Sequence, residues 1–260
     1  MANRMPVLFI GHGNPIHTLE NNEFTAAWQF LTDRVPRPKT ILAISAHSLT
    51  DRTFISTSKA PETIHDFYGF PRAMYELRYP CSGDPELAER IIGELTDFSL
   101  SPKTNLGLDH GTWCVLRRTF PNADIPVVTL SLHANQTPQY HYELGRALDF
   151  LRDENILVMC SGNIVHNLGK AMSASNKSID WAVEFDQRIA EAIIQRDHSA
   201  ILNYRNWGKL ATDAHPTDEH LLPLFYFLGL QSEQDEIIFS EYSEVTLETA
   251  FMRSIFMGQA

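Results

Sequence analysis

The run Val7-Leu8-Phe9-Ile10, closed by Gly11-His12-Gly13-Asn14-Pro15, constrains this chain more than any other stretch. Apolar residues that stop at a glycine read as a buried strand with an abrupt end. Glycines on both sides of His12 let the backbone turn sharply and bring the imidazole close to whatever it holds. The same grammar returns at Thr40-Ile41-Leu42-Ala43-Ile44-Ser45-Ala46-His47-Ser48, an apolar run with a histidine at its carboxyl end. In open α/β sheets, ligands bind beyond the carboxyl ends of the strands, where side chains from separate loops converge. Imidazole is the commonest side-chain ligand for zinc and a frequent one for iron, so two histidines placed this way point to one site.

The rest of the chain alternates strands and helices, which is the α/β pattern, and no linker or repeat divides it. Phe24, Ala27, Trp28 and Leu31 are spaced for a helix over Glu23 to Leu31. A short strand is expected at Thr53 to Ser58. The stretch Pro61 to Pro71 is aromatic, punctuated by glycine and proline, and reads as a packed loop that shapes a substrate. Asp84 and Pro85 open a helix to Leu95. His110 is expected on the loop just before a helix, within Asp109-His110-Gly111-Thr112-Trp113. Strands follow at Ile125 to His133 and from Ile156 into the Ser161-Gly162-Asn163 turn, with a helix between them over Tyr140 to Leu151. His166 falls on the loop or first helical turn after the second of these strands. Trp181, Phe185, Ile189, Ala192 and Ile193 form the core stripe of a long helix. Thr217 reads as the start of a helix that carries His220 on its first turn. Strands near Ile237 to Phe239 and Glu248 to Phe256 complete the sheet, and the C-terminus offers no visible chemistry.

Composition narrows the function. A net charge of −11 argues against nucleic acid or an anionic membrane as the main partner, because tracking phosphates requires a basic excess. Cys81, Cys114 and Cys160 are far apart and lack CxxC spacing, so they read as reduced, buried residues. With no apolar run of spanning length and no signal-type segment, the expected compartment is the cytoplasm. Of the eleven histidines, His12, His47, His110, His166 and His220 form the candidate set. His17, His65, His133, His141, His198 and His215 read as surface or ordinary hydrogen-bonding residues, with His65 and His133 the first exceptions to consider. Several imidazoles suit zinc or a first-row transition metal rather than a hard cation. Zinc would polarise or hydrolyse, whereas ferrous iron with open positions binds dioxygen beside an organic substrate. Spacing alone leaves both open.

The blocks Gly11-His12-Gly13-Asn14-Pro15, Ser45-Ala46-His47, Ile64 to Pro71, Asp109 to Trp113, Ser161 to Asn167 and Pro216 to Leu224 stand in order along nearly the whole chain. Together they resemble the DOPA 4,5-dioxygenase group of the class III extradiol ring-cleaving dioxygenases. The resemblance implies a single α/β domain over residues 1–260, with a central mixed, mostly parallel sheet and one divalent metal at the strand carboxyl ends. It also implies a catechol-type substrate, dioxygen as co-substrate and ring opening between positions 4 and 5. His12, His47 and His220 match the metal ligands. His166 matches a residue that serves as a fourth ligand or as an acid/base, a role shared with His110. Asp109 is a candidate to orient His110 or, equally, simply to cap the helix that follows, and His65, Phe67, Tyr68 and Phe70 are candidates to form the substrate rim. An all-histidine shell departs from the two-histidine, one-carboxylate arrangement and makes zinc a competent occupant beside catalytic iron. A zinc hydrolase or a non-catalytic metal-binding protein are the alternatives that the same ligands allow.

Overall fold

Buried strands with apolar residues on both faces need covering on both sides, and the computed structural model, which describes residues 4–173, 180–242 and 246–259, meets that need with three layers. The strands are β1 (Val7–Gly11), β2 (Thr40–Thr50), β3 (Phe54–Ser56), β4 (Ser101–Lys103), β5 (Val127–His133), β6 (Ile156–Gly162), β7 (Glu236–Phe239) and β8 (Ile255–Gly258). They form one sheet in the order β4-β3-β5-β2-β6-β1-β8-β7. The middle four, β5-β2-β6-β1, are parallel. β3 joins β5 antiparallel on one side, and β8 and β7 run antiparallel beyond β1 on the other. The α/β class and the mixed, mostly parallel sheet are therefore as expected.

Strand periodicity sorts the core into two halves. Val7, Phe9, Leu42, Ile44, Val158 and Cys160 point to the face covered by the helices Pro138–Ala147, Asp180–Gln195 and Leu222–Gly229. Leu8, Ile10, Ile41, Ala43, Leu157 and Met159 point to the opposite face, under the helices Glu23–Thr32 and His110–Thr119. The helix Pro85–Glu94 starts as expected, with Asp84 accepting from the Leu87 N–H. All three cysteines are free and buried. Among the described residues, no helix is long and apolar enough to cross a membrane.

The structure departs from the sequence reading at several places. The segment read as a strand over Glu248 to Phe256 is a helix, Leu247–Met252, followed by β8. Thr246 and Thr249 exchange side-chain and backbone hydrogen bonds there, a capping box that starts a helix where apolar content alone suggested a strand. The helix read over Tyr140 to Leu151 begins earlier, behind the Thr137 cap, and passes into the 3-10 turn Asp149–Glu154. His220 lies in the turn before the helix Leu222–Gly229 rather than on its first turn. Asp109 occupies the cap position, so His110 is the first residue of its helix and not the last of the loop.

Candidate metal centre

Three neighbouring parallel strands, β1, β6 and β2, end side by side, and the site is built on their carboxyl ends. His12 follows β1 directly, and its backbone N–H donates to the Gly162 carbonyl at the end of β6. His47 lies inside β2, where the pairing with β5 slips between Ile44 and Leu49. Such a bulge re-aims a side chain that a regular strand would point elsewhere. His220 reaches the centre from a distant turn because β6 ends in glycine. A Cβ on Gly162 would sit 2.4 Å from the His220 carbonyl oxygen, and that same oxygen accepts the Asn163 N–H at 2.9 Å.

Hydrogen bonds and facing carboxylates fix which nitrogen each ring turns inward. Ser161 Oγ donates its only proton to the Gly111 carbonyl at 2.6 Å, so it must accept from His12 Nδ1, 3.0 Å away. The lone pair of His12 is thereby left on Nε2. His47 Nδ1 faces Asp66 Oδ2 at 3.4 Å and His220 Nδ1 faces Glu219 Oε1 at 3.1 Å, which holds the protons of those rings outward as well. His12 Nε2 and His47 Nε2 then meet at 3.0 Å. Two lone pairs at that distance repel unless a cation lies between or beside them. His12, His47 and His220 each offer one ligand atom, all within 4.8 Å of one another. Burial, reinforced by the neighbouring imidazoles, pushes His12 and His220 well below the ordinary histidine value. Burial and the nearby His110 bring His47 down to about 3, against the opposing pull of Asp66. Neutral rings with committed Nδ1 protons are the form that ligates a divalent metal. The donor set therefore fits such an ion.

His110 and His166 stand beside this triad. His110 Nδ1 lies 3.0 Å from Asp66 Oδ2, and Asp66 Oδ1 accepts the backbone N–H of His110 at 2.9 Å. Asp66 thus touches both His47 and His110. Burial works against its ionisation, but the two histidines overcome that and hold the carboxyl below its usual value. Asp109 takes the capping role, the second of the two readings that the sequence left open for it. It caps the helix at the Thr112 N–H and accepts the Ser45 hydroxyl at 2.6 Å, and burial raises it to about 6. His166 is stacked on His220, with ring centroids 3.4 Å apart and planes within 10°. Burial lowers its pKa, opposed by Glu219.

All five histidines line one cavity of about 390 Å³, walled by Phe67, Phe70, Phe251 and Met252. Two of the four rim residues expected from the aromatic loop are elsewhere. Tyr68 is 92% exposed, and His65 Nε2 is 3.1 Å from the Leu77 carbonyl oxygen while its ring packs on Trp113. The C-terminal segment, in which no chemistry was visible, supplies Glu248, Phe251 and Met252 to the cavity instead. Met252 packs so closely that a Cβ on Gly13, whose φ is +53°, would lie 1.9 Å from its sulfur. Sequence reasoning also missed Asp66, Ser161 and His17. The available signal for Asp66 was a carboxylate set between His65 and Phe67 in an aromatic loop, and for Ser161 a hydroxyl at the end of a buried strand.

The family described as the catalytic LigB subunit of aromatic ring-opening dioxygenase matches residues 22–252. A protein of Escherichia coli K12 named 4,5-DOPA dioxygenase extradiol is 40% identical over 241 residues, 91% of this chain and 89% of its own length. The protein of the same name from Beta vulgaris is 34% identical over 237 residues, 88% of this chain and 87% of its own. The crystal structure of an uncharacterized protein from Escherichia coli K12 superposes with a TM-score of 0.82 at 33% identity, covering 97% of this chain and 99% of that one.

Proposed function

Since this chain belongs to the LigB family of aromatic ring-opening dioxygenases, we propose that it is a metal-dependent enzyme that opens a DOPA-like catechol between positions 4 and 5 with dioxygen. The observation that carries the reading is the convergence of three inward-facing, unprotonated imidazole nitrogens in an aromatic cavity. His12, His47 and His220 would hold one divalent metal through Nε2. Ferrous iron bound there supplies a Lewis acid that lowers the hydroxyl pKa values of a catechol and a centre that reacts with dioxygen.

His166 and His110 are assigned to proton transfer. Lone pairs lie in the plane of an imidazole, and two parallel rings 3.4 Å apart cannot aim theirs at the same point. With His220 as a ligand, His166 is therefore free to take a catechol proton. His110 does the same from the other side, and the Asp66 carboxylate stabilises the imidazolium that results. General acid–base help of this kind is typically worth ~10²–10⁴-fold. Phe67, Phe70, Phe251 and Met252 give the cavity apolar walls against which an aromatic ring would pack, leaving these histidines as the proton-transfer groups beside it.

The test is anaerobic reconstitution with ferrous iron, then oxygen and a panel of catechols, with absorbance followed for a yellow ring-opened product. Product is expected only with iron, a catechol and oxygen all present. His110→Ala and His166→Ala are expected to abolish turnover while metal content stays near wild type. A zinc-loaded protein that turned over substrate without oxygen would replace this reading with hydrolysis by a metal-bound hydroxide.

A further inference from the structure

Among the described residues that line the cavity, none is lysine or arginine, and the one carboxylate is Glu248. Glu248 stands in the first turn of the helix Leu247–Met252, with its side chain 60% exposed. On its inner side it faces His17, whose side chain is only 5% exposed and whose Nε2 is 3.7 Å from Glu248 Oε1. The proton of His17 can be placed. Asn22 Oδ1 accepts the Thr25 backbone N–H at 3.0 Å, which turns the Asn22 amide nitrogen toward His17 Nδ1, 2.9 Å away. That amide donates one N–H to His17 Nδ1 and the other to Glu20 Oε2 at 3.1 Å, so although this carboxylate lies 3.4 Å from Nδ1, Nδ1 accepts the nearer amide and the imidazole proton sits on Nε2. Nε2 has no hydrogen-bond partner and is buried, an N–H donor on the cavity wall facing a carboxylate slightly too far to bond. A buried donor without a partner is costly, and it is retained where a ligand or a small shift completes it.

We propose that Glu248, positioned by His17, recognises a cationic amine on the side chain of the catechol, making this pair the specificity device of the pocket. The inference rests on the catechol reading above and adds the charge class of the substrate. Beyond the metal site, a side-chain carboxylate would meet the Glu248 anion and no lysine or arginine among the described residues that line the cavity, whereas an ammonium meets Glu248 as a charge-assisted hydrogen bond. As the ammonium binds, Glu248 closes the gap to the His17 N–H, and both groups are satisfied together.

Three probes with the same catechol ring separate the charges: dopamine carries an ammonium, 4-ethylcatechol no charge, and 3-(3,4-dihydroxyphenyl)propionate a carboxylate. The experiment is equilibrium titration of the iron-loaded full chain under anaerobic conditions, where no turnover occurs. Wild type is expected to bind dopamine about tenfold more tightly than 4-ethylcatechol, and the propionate most weakly. Glu248→Gln should bring dopamine and 4-ethylcatechol within about twofold of each other, and Glu248→Lys should invert the order. His17→Phe, which keeps a ring and deletes the N–H, should lower the dopamine preference part of the way. An order unchanged in Glu248→Gln, a wild type that binds the propionate as tightly as dopamine, or no binding of any probe would overturn the inference. Admitting oxygen afterwards tests the other reading separately. Probes that bind in the expected order but stay intact would refute ring cleavage and leave Glu248 as the charge reader, whereas equal binding followed by cleavage would do the reverse.

Discussion

Ser161→Ala tests whether His12 is held for a metal or merely packed. In the wild type the Ser161 hydroxyl makes two contacts, donating to the Gly111 carbonyl at 2.6 Å and accepting from His12 Nδ1 at 3.0 Å. Removing it leaves the buried His12 ring N–H without a partner, while the Gly111 carbonyl, inside the helix His110–Thr119, keeps its bond within the helix. Such a loss costs roughly 1–3 kcal/mol, so the metal-free variant should be destabilised by about that amount in chemical denaturation. The second consequence is specific to ligation. Without its acceptor the proton on His12 is free to move to Nε2, the nitrogen that faces His47, and the ring no longer presents a fixed lone pair. Loss of such outer contacts typically costs 10–100-fold in metal affinity. Affinity is measured by competition with a chromophoric chelator for ferrous iron and zinc, and the stability of the metal-free form is measured alongside it. If Ser161→Ala lost stability but bound both metals as tightly as wild type, the hydrogen bond would be structural and His12 would not be a ligand.

Other expected outcomes follow from the same geometry. Asp66→Asn keeps the size of the side chain but removes the charge beside His110 and His47; steady-state turnover should fall about 10–100-fold while metal stoichiometry by atomic absorption changes little. Gly162→Ala would drive a methyl group to 2.4 Å from the His220 carbonyl, and both thermal stability and metal affinity should drop, whereas Gly93→Ala, which meets nothing within 4 Å, should behave like wild type. Buried His141, 3.1 Å from the Tyr226 hydroxyl, has its pKa lowered by burial to about 4. The unfolded chain protonates it near 6.5 and the folded one does not, so its stabilisation is complete above 6.5, is lost as pH falls from 6.5 to 4, and changes no further below that. The loss amounts to about 3 kcal/mol in all, and His141→Gln should show a correspondingly shallower decline in urea midpoint over that pH range.

The sheet and most of its histidines were legible in the sequence because buried parallel strands leave unbroken apolar runs, and β1, β2 and β6 each carry one that ends at a glycine or a histidine. His47 is placed by a slip in strand pairing, but it still falls at the end of the readable run. The helix Leu247–Met252 was misread because its cap, Thr246 with Thr249, has no acidic residue at the third helical position to announce it. His220 is set by the Asn163 N–H and the bare Gly162, neither of which gives a periodic signal. Asp66 escaped for a different reason. Its partners, His47 and His110, are far from it in the chain, and only the folded loop brings a carboxylate between them. The same holds for His17 and Glu248, which come from opposite ends of the sequence to one wall of the cavity.

Oxygen uptake during a ferrous titration reaches the centre of the matter most directly. Metal-free protein is supplied with a saturating catechol and air-equilibrated buffer, and the rate of dioxygen consumption is recorded against equivalents of ferrous iron per chain. The rate should rise linearly, break at one equivalent, and stay at the buffer background in the His12→Ala, His47→Ala and His220→Ala variants. Uptake that ignores added iron, breaks at another stoichiometry, or survives the loss of any of these three histidines would contradict a single ring-opening metal held by His12, His47 and His220.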